Sequence, residues 1–270
     1  MYQLRPRGFH LPPVIKNLLI INGLVWLVEI TLLARFNYDL GNLFALHYWQ
    51  SDMFRPWQFV THIFMHSPGN FAHIFMNMLT LWMFGTALED RWGSKRFLLF
   101  YLICGLGAAL CYMGWLTYDN MKLANEAQAF FADPSVGNFS VIDNRFHLGE
   151  GMYGMDGLKY AIGQGNDGAI DMAKGLIARL LDQYRNASMM GASGAVYGIL
   201  FAFGYMYPNE YVYLNFLIPV KAKYVVGFLI AVELWSQIQN SAGDNVAHIA
   251  HLGGVVFSYL LLRNWNRKIF

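Results

Sequence analysis

The chain has 270 residues, 56% of them hydrophobic and only 13% charged, with a formal net charge of +2. Soluble domains carry about 25% charged residues, so this is the composition of a membrane protein, and so small a positive balance with no basic tract gives no support to nucleic acid as a partner, and none is expected. The two cysteines, Cys104 and Cys111, share one apolar run; on a helix they stand roughly 10 Å apart in rise, too far for a disulfide, and read as small buried hydrophobes.

A membrane-crossing helix needs about 20 mostly apolar residues. The basic leader "MYQLRPRGFHLPPVIKN" runs into the first such segment, 17–34, with no small-residue cleavage site after it. It is expected to be a retained helix rather than a signal peptide. Glu29 lies within it; an intramembrane acid is a functional candidate by default, and the reading favoured for Glu29 is a position near a membrane edge or facing another helix. Residues 35–70 are rich in aromatics and half-polar runs such as "FRPWQFVTHIFMHS", which predicts an interfacial structure. The second and third segments, 71–88 and 97–116, flank a tight turn holding Arg91, Lys95 and Arg96. A long connection, 117–188, follows with nine acidic and six basic residues, a balance expected of a translocated segment. Loops this long are functional or independently structured. Within it, Ile170, Ala173, Ile177, Leu180 and Leu181 have helical spacing and predict an amphipathic helix lying on the bilayer surface or against the bundle. The remaining segments are 189–207, 222–238 and 246–262, the last two joined by the short link "NSAGDN".

Four basic clusters set the orientation: Arg5, Arg7 and Lys16; Arg91, Lys95 and Arg96; Lys221 and Lys223; Arg263, Arg267 and Lys268. With an alternating chain all four fall on one side, which the positive-inside rule makes cytoplasmic. The expected fold is therefore all-α, one polytopic bundle of six transmembrane helices over 1–270. Both termini are cytoplasmic and the 117–188 insertion lies on the other side.

The second, fourth and sixth segments enter from that other side, and each carries its polar residues in its first two turns. His73 and Asn77 are four apart in "FAHIFMNM", Ser193 precedes Tyr197 by four in "GASGAVYG", and His248 and His251 are three apart in "VAHIAHLGG". Residues three or four apart share a helix face, so these groups can meet in one shallow pocket. Gly191, Ala192, Gly194 and Gly198 could pack against Gly253 and Gly254 and bring the helices close. A serine beside an imidazole is an activated nucleophile, and a main-chain N–H at a helix start is a natural oxyanion donor. The competing readings are small-residue packing around an inert hydroxyl, and metal or haem ligation by the His62–His66 and His248–His251 pairs. No HExxH signature or accompanying carboxylate in the sequence supports the latter.

These motifs resemble the rhomboid intramembrane serine proteases. "GASGAVYG" is similar to the family's GxSG nucleophile motif, "AHLGG" to its histidine motif, "HIFMN" to its HxxxN pair, and "PWQFVTHIFMHS" to the loop between helices one and two, whose Trp-Arg element here reads Trp57-Gln58. "ALEDRWGSKRF" and "PVKAKY" resemble cytoplasmic turns of bacterial members. The resemblance spans the chain outside 117–188. It implies an intramembrane endopeptidase of the cell membrane, opening to the non-cytoplasmic side, with no metal or cofactor. Its substrates would be membrane-spanning proteins with a locally unstable helix and a small residue at the cut. Ser193 would be the nucleophile, His251 the base and Gly191 and Gly194 the motif glycines. Tyr197 would be the ring packed on the base, and His73 and Asn77, with the Ser193 main chain, the oxyanion donors. His251 rather than His248 is chosen because Gly254 follows it by three; His248 is a neighbour one turn outward. No aspartate is placed to orient the imidazole, so a serine–histidine dyad is expected. Ser258 stands where a family glycine is often found and is expected to loosen the contact between helices four and six. The other function classes are an inactive rhomboid-like protein that binds membrane clients and a histidine-based haem, metal or transport bundle.

Overall fold

A computed structural model describes residues 10–146, 148, 154–214, 218–239 and 245–266. The linking residues 240–244 and the basic residues Arg5, Arg7, Arg267 and Lys268 lie outside them. Helices dominate, and six of them fall on the six predicted segments: α1 (Pro13–Phe36), α4 (Phe71–Trp92), α5 (Ser94–Ala132), α9 (Ser193–Met206), α10 (Ala222–Gln239) and α11 (Asn245–Asn266). Among the described residues α1, α4 and α5 are long and apolar enough to cross a membrane, and α9 is a shorter apolar helix.

Pro13 starts α1, where its missing N–H costs nothing. The next N–H groups, of Val14 and Ile15, donate to the buried Glu89 carboxylate at 3.0 and 2.9 Å, so the end of α4 caps the start of α1. At the other end of α1, Glu29 is buried and accepts the His66 backbone N–H at 3.2 Å. It therefore faces the loop that follows α1, where the expectation was a membrane edge or another helix.

That loop contains two short helical turns, α2 (Gly41–Phe44) and α3 (Gln58–Thr61), a 3₁₀ turn at His62–Phe64, and a two-residue strand β1 (Leu46–His47). Its hub is Gln58, fully buried. The amide nitrogen donates to the Leu43 and Met53 carbonyls at 3.3 and 2.9 Å, and the amide oxygen accepts from the His47 and Arg55 N–H groups. A neutral amide can both donate and accept, so Gln58 ties four points of the loop together. β1 pairs antiparallel with β2 (Ser188–Met189), in the register Leu46 to Met189 and His47 to Ser188. Hence α9 begins at Ser193 rather than at 189: its approach is a strand tied to the first loop.

Helix α5 overruns its predicted end at 116. At 39 residues it is about 58 Å long, nearly twice the hydrocarbon thickness. The apolar run stops, but the helix continues with Leu123, Ala127 and Phe130 on one buried face. Against that face pack α6 (Val136–Phe146), α7 (Met155–Gly163) and α8 (Asp167–Arg185). The predicted stripe of α8 is real, with Ala173, Ile177 and Leu180 buried; it lies on the extension of α5 and so has no need of the bilayer. The resulting subdomain touches the first loop through Trp49 to Thr117, Ser51 to Asn186 and Arg185 to the Gln50 carbonyl. Far along the chain, β3 (Tyr211–Leu214) and β4 (Ile218–Lys221) form a hairpin between α9 and α10, a feature not expected of an all-α fold.

Helix α9 is the centre of the bundle, packed against α4, α5, α10 and α11. A Cβ at Gly254 of α11 would land on the Gly194 carbonyl oxygen, so these two backbones touch. Gly198 faces Cys104 of α5 and the Gly254 carbonyl. The nearest neighbours of Gly253 are Cys111 and Ala108 of α5 rather than the α9 glycines it was expected to meet. Ser258, expected to loosen the α9–α11 contact, does the reverse: it is fully buried and donates to the Gly198 carbonyl at 2.8 Å. Both cysteines are free.

Candidate active site

Ser193 is the first residue of α9 and is half-buried. At fourteen residues α9 is only about 21 Å long, shorter than the roughly 30 Å hydrocarbon layer. The start of such a helix presents N–H groups without helical partners and the positive end of its dipole. Gly191, just before it, has φ +130°, a conformation that L side chains rarely adopt, and donates its N–H to the His62 carbonyl at 2.9 Å. Gly191 is thus a turn glycine rather than a helix-packing one. A Cβ there would stand 3.1 Å from His73 Cε1, 3.2 Å from His73 Nε2 and 3.6 Å from Ser193 Oγ. The missing side chain leaves one small space between the serine hydroxyl and the His73 imidazole.

The His251 ring stacks on Tyr197, centroids 4.2 Å apart and 12° from parallel. Tyr197 is one turn after Ser193, so His251 lies on the face of α9 that carries the hydroxyl. Four of the predicted residues, Ser193, Tyr197, His73 and His251, therefore meet around the start of α9. Asn77 does not join them directly. It is buried and its amide nitrogen is 3.3 Å from Nε2 of His66 in the first loop; the His66 ring in turn meets His73 edge to face at 5.4 Å. Gly194 and Gly254 serve the helix contact described above.

The sequence reading missed Glu233. This buried carboxylate on α10 accepts a short hydrogen bond on Oε1 from the Tyr197 hydroxyl. Its Oε2 is 2.5 Å from His248 Nδ1 and 3.1 Å from His251 Nδ1. The second contact is within ion-pair reach but out of line for a full hydrogen bond. Two expectations change. A carboxylate does accompany the histidine pair, and a group able to orient the imidazole is present. Glu233 was legible as a lone acid in the apolar run "AVELW", a position that is a functional candidate by default.

Glu233, His248 and His251 also form the described cluster whose ligand atoms lie close enough to share a cation. Ligands around a zinc at about 2.0–2.2 Å in a tetrahedron stand more than 3 Å from each other. The 2.5 Å between His248 and Glu233 is instead the spacing of a strong charge-assisted hydrogen bond, so the arrangement as it stands is a shared carboxylate.

In the first loop, burial holds the imidazoles of His62 and His66 down to about 4, with His73 opposing a second charge on His66. Both therefore act as neutral structural groups under the site.

A family model described as the Rhomboid domain matches residues 54–141 and 158–264. The two matched stretches leave out 142–157, within the connection between α5 and α9. The chain is 25% identical over 195 residues to "RHOMBOID-like protein 12, mitochondrial" of Arabidopsis thaliana, covering 72% of this chain and 42% of that one. It is 39% identical over 64 residues to "Rhomboid protease GluP" of Bacillus subtilis (strain 168), covering 24% and 12%. It is 33% identical over 99 residues to "Rhomboid-like protein 11, chloroplastic" of Arabidopsis thaliana, covering 35% and 33%. The chain thus spans less than half the length of each of these relatives.

Proposed function

The chain belongs to the rhomboid family, and from that premise we propose that it is an intramembrane serine endopeptidase with Ser193 as nucleophile and His251 as base. The observation that carries this reading is the stacking of His251 on Tyr197, which puts an imidazole on the serine's side of α9. His251 takes the Ser193 proton as Oγ bonds to a peptide carbonyl carbon. The carbonyl oxygen becomes an oxyanion, facing the main-chain N–H groups at the start of α9 and the His73 ring across Gly191. Collapse breaks the C–N bond, and His251 returns the proton to the leaving amine. Water then repeats the sequence on the acyl-enzyme and frees Ser193. Asn77, engaged with His66, is assigned to holding the wall behind His73 and donates to the oxyanion only when that contact opens.

An intact helix hides its backbone groups, so a membrane-spanning substrate must unwind to be cut. The short α9 supports a site below the outer surface, reachable by water. The basic clusters support cytoplasmic termini in a cell membrane, with the site and the α6–α8 subdomain on the opposite side.

The test is a fluorophosphonate probe on the purified protein, with mapping of the labelled peptide, and cleavage of a membrane-spanning reporter in proteoliposomes. The label is expected on Ser193, and Ser193→Ala and His251→Ala are each expected to lower cleavage by about 10⁴-fold or more with folding unchanged. Undiminished cleavage by Ser193→Ala sinks the reading. A folded, client-binding protein with neither label nor cleavage would be an inactive member. If His248→Ala is dead while His251→Ala is active, the two histidines exchange roles.

A further inference from the structure

Glu233 is not accounted for by a serine–histidine pair. A carboxylate in an apolar helix is expensive to bury unless it is paired and hydrogen-bonded, and this one is 5% exposed. Tyr197 O–H and His248 Nδ1 bind its two oxygens, and the remaining lone pair on Oε2 lies beside His251 Nδ1. The Tyr197 that holds the carboxylate also holds the plane of the imidazole, through the stack. With Nδ1 on the carboxylate side, the basic lone pair of His251 is on Nε2, the nitrogen left for the serine.

We propose that Glu233 is a positioning residue for catalysis: it fixes the tautomer and orientation of His251 through Nδ1 and stabilises the imidazolium formed when Ser193 gives up its proton. His248 is the outer anchor of the same carboxylate. The inference rests on the serine-protease reading. The groups around His251 are Tyr197 from α9, with Ser193 one turn before it on the same face, Glu233 from α10, His248 from its own helix and His73 from α4. Glu233 is the acid among them. The alternative is a staple that ties α10 to α9 and α11 and has no part in proton transfer.

The two roles separate in the pH dependence of kcat. In Glu233→Gln, kcat is expected to fall about 10²–10⁴-fold, a range set by the cost of losing an orienting carboxylate, with KM within about twofold. The acidic limb of the profile is expected to move about one unit to lower pH, because no negative charge then favours the protonated base. Glu233→Asp is expected to recover part of the rate and of the limb. Fluorophosphonate labelling of Ser193 should slow in parallel. Parent-like kcat and limb in Glu233→Gln overturn the proposal; so does a rate lowered equally at all pH with an unmoved limb and a lower thermal midpoint, the mark of a staple. If Glu233→Gln does not fold, Tyr197→Phe keeps the ring on His251 and removes the Oε1 donor. Its limb should then move to higher pH, and an unmoved limb overturns the proposal. A parent protein that neither labels nor cleaves ends both readings, whereas a labelled parent with an indifferent Glu233→Gln ends only this one.

Discussion

The core around α9 and the core of the α6–α8 subdomain are built by opposite means. Around α9 the helices meet backbone to backbone, with Gly254 on the Gly194 carbonyl and Gly198 on the Gly254 carbonyl, and a serine hydroxyl spans the seam. In the subdomain large side chains fill the space: Phe130, Phe139, Ile142 and Ile177 are all fully buried. Ion pairs sit at its edge, Glu126 with Arg145 at 2.9 Å and Asp143 with Lys159 at 2.5 Å, while Gly157 and Gly175 face open space. Lipid tails are as apolar as leucine, so helices in a membrane gain little from burying apolar bulk and associate through close packing and hydrogen bonds. In water the burial of bulk is the driving force. The long α5 takes part in both, offering Cys104 and Ala108 to one core and Leu123 and Phe130 to the other.

The contrast breaks most visibly at Phe130. Phe130→Ala empties a fully buried phenyl site between α5 and the subdomain and is expected to cost about 3–5 kcal/mol there. Limited proteolysis should then cut around 133–166 while Ser193 still reacts with a fluorophosphonate. Loss of labelling as well would make the two cores one cooperative unit.

Gly254→Ala tests the other core with a single methyl. It meets a backbone oxygen that cannot rotate away, so the expected cost is about 1–3 kcal/mol, with Ser193 labelling lost. Thermal unfolding and labelling rate measure both parts.

Acid should act on the bundle through the first loop. The folded state holds His62 and His66 down to about 4 against an ordinary 6.5. Above pH 6.5 both states leave them neutral and stability is unaffected. Between about 6.5 and 4 the unfolded chain takes protons that the fold refuses, so stability falls with pH, by at most about 1.4 kcal/mol per unit for each histidine. Denaturant titrations of the bundle at falling pH check the slope, and His62→Gln should reduce it.

The smallest effect has the opposite sign. Gly175 is exposed within α8, with nothing within 4 Å of an added Cβ, so Gly175→Ala should stabilise the subdomain by about 0.5–1 kcal/mol. A glycine that costs to replace in one core and gains on replacement in the other is the comparison in its sharpest form.

Much of this molecule was legible along the chain because its cues are local. Apolar runs of about 20 residues located the six helices, and the i, i+3 and i, i+4 spacings put His73, Ser193, Tyr197 and His251 on the faces where they meet. The helical stripe of α8 was visible as well, though not its partner. The end of α5 was misplaced because a helix that leaves an apolar layer for a packed subdomain changes the pattern of its faces, not its conformation. Ser258 was misjudged for a related reason: its effect depends on whether a carbonyl stands across the seam, and Gly198 supplies one.

The sequence by itself determined the membrane class, the order of the segments and the residue types at the mouth of α9, since each follows from composition or from short-range periodicity. Tertiary structure decided what crosses between segments distant in the chain. It brought Glu233 of α10 onto His248, His251 and Tyr197, turned Asn77 toward His66, and paired β1 with β2 so that Gly191 turns into the helix beside His73. A carboxylate's partner, unlike a helix's face, is set by which backbones can approach, and here that approach is made by Gly194 and Gly254.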